Sequence, residues 1–232
     1  MSWLHSLDTS IFHFINGTLS NPVFDRVMPL ASGNPFFVPV LAAIALALIW
    51  KGGTRGRIFL FLLLLVIALG DGWICNSIKK AVARPRPFHE FPEAHLLVGK
   101  GKAYSMPSSH AANWFAATMV TFIFYRRSWR FMLPLALLVS FSRVYNGAHY
   151  PTDILASAVL GSAYAVAFVW LADLVWKMIG RRWFPLWWEK VPSLINPDER
   201  ITPANPANGA SQHTHDSHFL RLGYIFIFAL LA

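Results

Sequence analysis

Two stretches of this chain leave little choice of fold. Residues 34–50 carry no charged side chain, and residues 58–78 carry one, Asp71. At about 1.5 Å of rise per residue, each is long enough as a helix to cross the hydrocarbon core of a bilayer. Three more apolar runs follow at 108–125, 131–144 and 153–179. Over the whole chain 55% of residues are hydrophobic and 13% charged, against about 25% charged in ordinary soluble domains. A soluble fold of this length could not hide that much apolar surface. The pattern predicts an all-α, polytopic transmembrane bundle of five to six spans.

The segments around the bundle read differently. In residues 1–33, Trp3, Leu4, Leu7, Ile11, Phe12 and Ile15 recur at roughly helical spacing among polar residues. This suits an amphipathic helix in the interface or a short helix packed on the bundle. The bundle itself spans 34–182. Residues 183–217 begin with an aromatic belt of Trp183, Phe184, Trp187 and Trp188 and continue as a Pro-, Asn-, Ser- and His-rich linker or tail. Residues 218–232 turn apolar again, as a sixth helix cut short or the start of a second membrane domain. The N-terminus lacks a basic region and a small-residue cleavage site, so no removable signal peptide is expected. The single cysteine, Cys75, reads as a packed apolar residue. His213, His215 and His218 stand in a polar tail without cysteine or carboxylate partners, which argues against a metal site there.

The formal charge is +9. Its cations cluster at the ends of apolar runs, which points to membrane orientation and anion binding, with no nucleic-acid partner. Lys51, Arg55 and Arg57, in a Gly-containing turn, fall on one face if the spans alternate, with Arg126, Arg127 and Arg130 and with Lys177, Arg181 and Arg182. The positive-inside tendency makes that face cytoplasmic. Loop 79–106 and turn 145–152 then share the opposite face.

Three segments on that opposite face carry chemistry. The first runs from Lys79 through Arg84 and Arg86 to Pro87. Lys79 and Arg86 read equally as phosphate ligands and as residues snorkelling at a helix end; Lys80 and Arg84 read as snorkelling. The second is Pro107-Ser108-Ser109-His110, where Pro107 suits the first turn of the third span. The following N–H groups would then face an anion, and His110 could give a proton to a leaving oxygen. The third is Ser142-Arg143 followed by His149 and Asp153. If a helix begins near Pro151, Asp153 can fold back onto one imidazole nitrogen of His149 and leave the other to attack. Asp71 reads as a functional carboxylate or a polar contact to a neighbouring helix.

The three blocks, Lys79…Arg86-Pro87, Pro107-Ser108-Ser109-His110 and Ser142-Arg143…His149…Asp153, occur in the order and spacing of the phosphatidic-acid phosphatase type 2 superfamily, which the chain resembles over roughly residues 20–180. The resemblance implies His149 as nucleophile, Asp153 as its orienter and His110 as general acid. It implies Lys79, Arg86, Ser108, Ser109 and Arg143 as the phosphate site, with no metal and no cofactor. Serine stands at position 109 where the family usually has glycine. The implied function is a metal-independent, integral-membrane phosphatase of the bacterial inner membrane. It would act on a lipid phosphate or diphosphate of the polyprenyl, phosphatidylglycerol phosphate or lipid A kind, with its site facing the periplasm or exterior. A lipid phosphotransferase and a non-catalytic transporter or scaffold are the alternatives.

Overall fold

The computed structural model describes residues 2–101 and 104–196, and the side chains of Ser2, Asn34, Pro35 and Phe36 are not among them. The calls on residues 218–232, on His213, His215 and His218, and on most of the 183–217 segment lie outside the described residues. The described chain is helical; its one β-type pairing is an isolated bridge between Pro85 and Tyr104. It forms two compact units, Met1–Ala165 and a second that begins at Val166.

In the first unit, α1 (Ser2–His13) runs into a π-helical turn, Phe14–Thr18, and α2 (Pro22–Ala31) follows. The start of α2 is written locally. Asn21 accepts from the N–H groups of Val23 at 3.1 Å and Phe24 at 3.0 Å, and Pro22 occupies the first helical position. The inward-facing residues are Asp8 and Phe12 on α1 and Asn16 in the π-helical turn, each at most 3% exposed, whereas Trp3, Leu4, Leu7 and Ile11 point outward. The helix packs on the bundle and keeps an exposed apolar face.

Then α3 (Asn34–Lys51) turns at Gly52 and Gly53 into α4 (Gly53–Leu69). The turn is tighter than the sequence reading allowed. Only Gly52 and Gly53 make it, with Gly53 at φ +59°, and Arg55 and Arg57 already belong to α4. Their guanidiniums satisfy helix ends: Arg57 donates to the Ile49 carbonyl at 3.0 Å and Arg55 to the Phe124 carbonyl. A π-helical turn, Gly70–Cys75, joins α4 to α5 (Asn76–Val82), so one continuous helix runs from Gly53 to Val82. Lys79 therefore sits in a last helical turn and not in a loop. Ala83 closes that helix in the left-handed region, at φ +48°.

After a single turn, α6 (Pro87–Glu90), the chain continues as α7 (Ser109–Phe124), α8 (Trp129–Tyr145) and the start of α9 (Pro151–Trp183). Among the described residues two helices are long and apolar enough to span a membrane by length and composition, Gly53–Val82 and Pro151–Trp183; Phe37–Lys51 is a shorter apolar helix. Small residues permit close packing: a Cβ on Gly161 would lie 2.3 Å from the Ala112 carbonyl oxygen, and one on Gly70 2.4 Å from the Tyr164 ring.

In the second unit, the end of α9 and α10 (Pro185–Lys190) are tied by residues read from sequence as a structureless linker. Asp173 accepts from the Ser193 hydroxyl at 2.8 Å and the Leu194 N–H at 2.7 Å, and Trp176 donates to the Val191 carbonyl at 2.7 Å. A buried carboxylate gives Ser193 and Leu194 the partners that periodicity could not reveal.

Candidate active site

The turn between α8 and α9 is held from several sides. Asn146, fully buried, donates to the Met28 carbonyl at 3.1 Å and the Ser32 hydroxyl at 3.0 Å. Asn16 donates to the carbonyls of Tyr145 at 2.7 Å and His95 at 2.9 Å. Gly147 needs its missing side chain: its φ is +74°, and a Cβ would lie 2.9 Å from the His95 carbonyl oxygen. These bonds fix where His149 projects.

His149 is 2% exposed. Its Nδ1 lies 2.8 Å from the Ser105 carbonyl oxygen. A carbonyl only accepts, so Nδ1 carries the proton and Nε2 keeps its lone pair. Nε2 in turn lies 3.4 Å from Arg86 Nη1, which also donates to the Ala148 carbonyl at 3.0 Å. The expected bond from His149 to Asp153 is not made: Nδ1 is 3.7 Å from Oδ2, too far for a hydrogen bond. Oδ2 instead accepts from the Tyr150 N–H at 2.9 Å. The reason is local. Tyr150 precedes Pro151 at the helix start, its N–H is an orphan donor, and a carboxylate three residues on reaches back to it as in a capping box.

Arg86 is 5% exposed, and a Cβ on Gly101 would lie 3.1 Å from its guanidinium carbon, so the loop backbone passes against it. Burial lowers the Arg86 pKa, with Asp153 opposing. Lys79, 8% exposed, donates to the Ser109 hydroxyl at 2.5 Å. The serine that replaces the family's usual glycine thus has a defined partner. Pro107 lies before the N-cap, Ser108, and not in the first helical turn. The Ser108 N–H is taken by Ser157 Oγ at 2.7 Å, which itself donates to the Asp153 carbonyl at 2.5 Å. The start of α7 is thereby locked to the first turns of α9. His110 follows, half-buried, near enough to Arg143, His149 and Lys79 for their charges to act on its imidazole.

Two polar atoms stand out. Arg143 is 8% exposed and Ser108 fully buried, yet Arg143 Nε and Ser108 Oγ have no hydrogen-bond partner among the described residues. Buried groups of this kind cost free energy unless something meets them. Among the described residues no group of three or more His, Cys, Asp or Glu side chains gathers where a metal could be held.

Arg84 corrects the sequence reading. It does not snorkel: it donates to Asp153 Oδ1 at 2.9 Å and to Asp8 Oδ2 at 2.6 Å, and its guanidinium carbon lies 4.0 Å from the Tyr150 ring centroid. Two carboxylates and an aromatic face hold it more strongly than the interface would. Sequence reasoning also missed Ser105, Ser157 and Asp8. Ser157 had a signal, one turn beyond Asp153; Ser105 contributes only a backbone carbonyl.

A PAP2 superfamily profile matches residues 59–177. The chain belongs to that superfamily. It is 30% identical over 184 residues to a lipid A 4'-phosphatase of Bacteroides thetaiotaomicron, covering 74% of this chain and 80% of that protein. It is 28% identical over 171 residues to the undecaprenyl-diphosphatase BcrC of Bacillus subtilis, covering 73% and 86%. The fold resembles that of a transmembrane PAP2-type phosphatidylglycerolphosphate phosphatase from Bacillus subtilis, with a TM-score of 0.59 at 20% identity over 75% of this chain and 89% of that one.

Burial pushes the His149 pKa down from 6.5 to about 4, with Asp153 opposing and Arg86 and Arg143 adding to the fall. An unfolded chain takes up this proton as pH drops through 6.5 and the folded protein does not until about 4, so the stability contributed by the neutral imidazole is present above 6.5 and lost towards 4. Thermal unfolding in detergent should show His149→Gln losing less stability than the parent between about pH 7 and about pH 5. Equal losses would mean that the imidazole is not held neutral by the fold.

Proposed function

We propose that this PAP2-superfamily protein is an integral-membrane lipid phosphatase that works through a phosphohistidine on His149. The observation that carries the reading is the state of His149 Nε2: with the proton on Nδ1, its lone pair faces Arg86 Nη1 at 3.4 Å, and Arg143 is near enough for its charge to act on the ring. The names of the curated relatives, a lipid A phosphatase and a polyprenyl diphosphatase, support a membrane-borne phosphate ester or diphosphate as substrate. Five crossings, α3, the Gly53–Val82 helix, α7, α8 and α9, with residues 34–182 as the enzymatic bundle, fit this reading.

In the forward step Nε2 attacks phosphorus, the bond from phosphorus to the leaving oxygen breaks, that oxygen belonging to a lipid alcohol or, in a diphosphate, to a lipid phosphate, and His110 gives its proton to it. The proton stays on Nδ1, donated to the Ser105 carbonyl, and Asp153, 3.7 Å away, offsets the positive charge that develops on the ring. Lys79, Arg86, Arg143 and Ser108 meet the phosphoryl oxygens as their charge rises. In the second step water attacks phosphorus, His110 takes a proton from it and the N–P bond breaks; the products are inorganic phosphate and a lipid alcohol, or inorganic phosphate and a lipid monophosphate where the substrate is a diphosphate. The charge is met by arginine and lysine, so a metal ion has no role in this scheme.

Purified protein should release inorganic phosphate from at least one of a panel of lipid A, polyprenyl diphosphate and phosphatidylglycerol phosphate substrates. It should do so in excess EDTA and without an added acceptor lipid, and His149→Ala should abolish the release. Release that requires an acceptor would make the protein a phosphotransferase. Loss on chelation restored by one divalent ion would refute the metal-free scheme, and no release from any substrate would favour a non-catalytic role.

We further propose that the protein lies in the bacterial inner membrane with the site on the periplasmic or outer face. The cations at the opposite ends of the helices of the first unit, Lys51, Arg55, Arg57, Arg126, Arg127 and Arg130, support it. Gly99 is exposed, with open space where a Cβ would stand. A Gly99→Cys variant should react with an impermeant thiol reagent in intact spheroplasts, Cys75 being fully buried; labelling only after lysis would reverse the orientation.

A further inference from the structure

We infer that Asp8, on the N-terminal helix and outside the residues the family profile matches, is a positioning residue that acts through Arg84 to hold Asp153 beside His149; the inference rests on the reading of His149 as nucleophile. Asp8 is 3% exposed. Both of its oxygens are used. Oδ1 accepts from the Thr152 N–H at 2.9 Å, and Oδ2 accepts from the Thr152 hydroxyl at 2.6 Å and from Arg84 Nη2 at 2.6 Å. Arg84 Nη1 then donates to the Thr152 hydroxyl oxygen at 2.8 Å and to Asp153 Oδ1 at 2.9 Å. A guanidinium is thus shared between two carboxylates, one of which belongs to the site.

The sharing has a consequence for geometry. Asp153 has two oxygens to place. Arg84 binds Oδ1 through one nitrogen, and Oδ2 is left for the Tyr150 N–H and for the face towards His149 Nδ1. An arginine offered a single carboxylate prefers the bidentate arrangement, with both nitrogens on both oxygens. Asp8 prevents this by occupying Nη2. Without its charge, Arg84 would close on Asp153 and draw Oδ2 away from the histidine. Asp8 also meets an orphan N–H in the first turn of α9, where a negative charge is favourable. Burial works against the Arg84 charge, and the bonds to Asp8 and Asp153 more than restore it, so its pKa is raised.

A plain anchor tying α1 to the bundle would use the same contacts, and the two roles differ in what they move. An anchor costs stability, and its loss adds to that of Arg84. A positioning residue changes the rate step while phosphate binding, done by other side chains, stays. In Asp8→Asn, which keeps an oxygen for the Thr152 N–H, kcat for the best lipid phosphate should fall by about tenfold or more while KM stays within about threefold. The double variant Asp8→Asn/Arg84→Gln should be no slower than Arg84→Gln alone, because Asp8 acts through Arg84. Additive losses, or a fall in kcat that tracks the thermal midpoint, would leave Asp8 an anchor only and overturn the inference. A readout without substrate separates this from failure of the enzymatic reading. The ring N–H resonance of His149, identified by its loss in His149→Gln, should shift in Asp8→Asn and stay in place in the exposed control Glu93→Gln. An unmoved resonance would overturn the inference even in an active enzyme, and a shift in a protein that releases no phosphate would uphold the brace and refute the phosphatase.

Discussion

A proton on His149 Nδ1, shared with the Ser105 carbonyl 2.8 Å away, decides what the rest of the site can do. It fixes the tautomer, so the lone pair sits on Nε2, towards Arg86. Other features serve that placement. Gly147 lets the turn pass against the His95 carbonyl, Asn146 and Asn16 tie it to the N-terminal segments, and the capping carboxylate of Asp153 helps start the next helix at Pro151, two residues after His149. Loop 84–105 supplies Arg86 and Ser105 together, and the Pro85–Tyr104 bridge pins its two ends.

The second constraint is electrostatic. Buried cations at the ends of apolar helices are expensive unless opposed. The protein opposes Arg84 from within, with Asp8 and Asp153, and it leaves Arg143 Nε with no hydrogen-bond partner among the described residues. On the proposed function, that division separates a cation that holds the scaffold from one placed for an anion. A membrane phosphatase needs both, because helices cannot be drawn together by the hydrophobic effect within lipid and must rely on close packing and polar contacts. Gly161 against Ala112 and Ser157 between α7 and α9 are contacts of these two kinds.

Much of this was written in the sequence. The apolar runs predicted the helices because hydropathy is a one-dimensional signal, and contacts between the motifs, Lys79 with Ser109 and Arg86 with His149, join segments that the sequence had already singled out. What could not be read were bonds between distant positions. Asp8 meets Thr152 across 144 residues and Arg84 across 76, with no periodicity to announce either. Arg84 looked like a snorkelling residue because its neighbours are basic and its partners are far away. The Ser105 contact was hidden for another reason: the reading counted side chains, and the group within hydrogen-bond distance of Nδ1 is a backbone carbonyl. Helix ends were misjudged where charge was taken to end a span, as at Arg55 and Lys79, since charges placed against helix-end carbonyls or against another helix do not break one.

The central claim is that phosphorus is carried on His149 Nε2. Mixing the enzyme with lipid phosphate labelled at phosphorus, quenching in alkali within the first turnover and mapping the labelled peptide tests it directly. The account predicts an alkali-stable, acid-labile phosphoryl group on the peptide containing His149, absent from His149→Gln. A full burst of released phosphate with no label on that peptide at any quench time would contradict it, and would mean that water attacks the lipid phosphate directly.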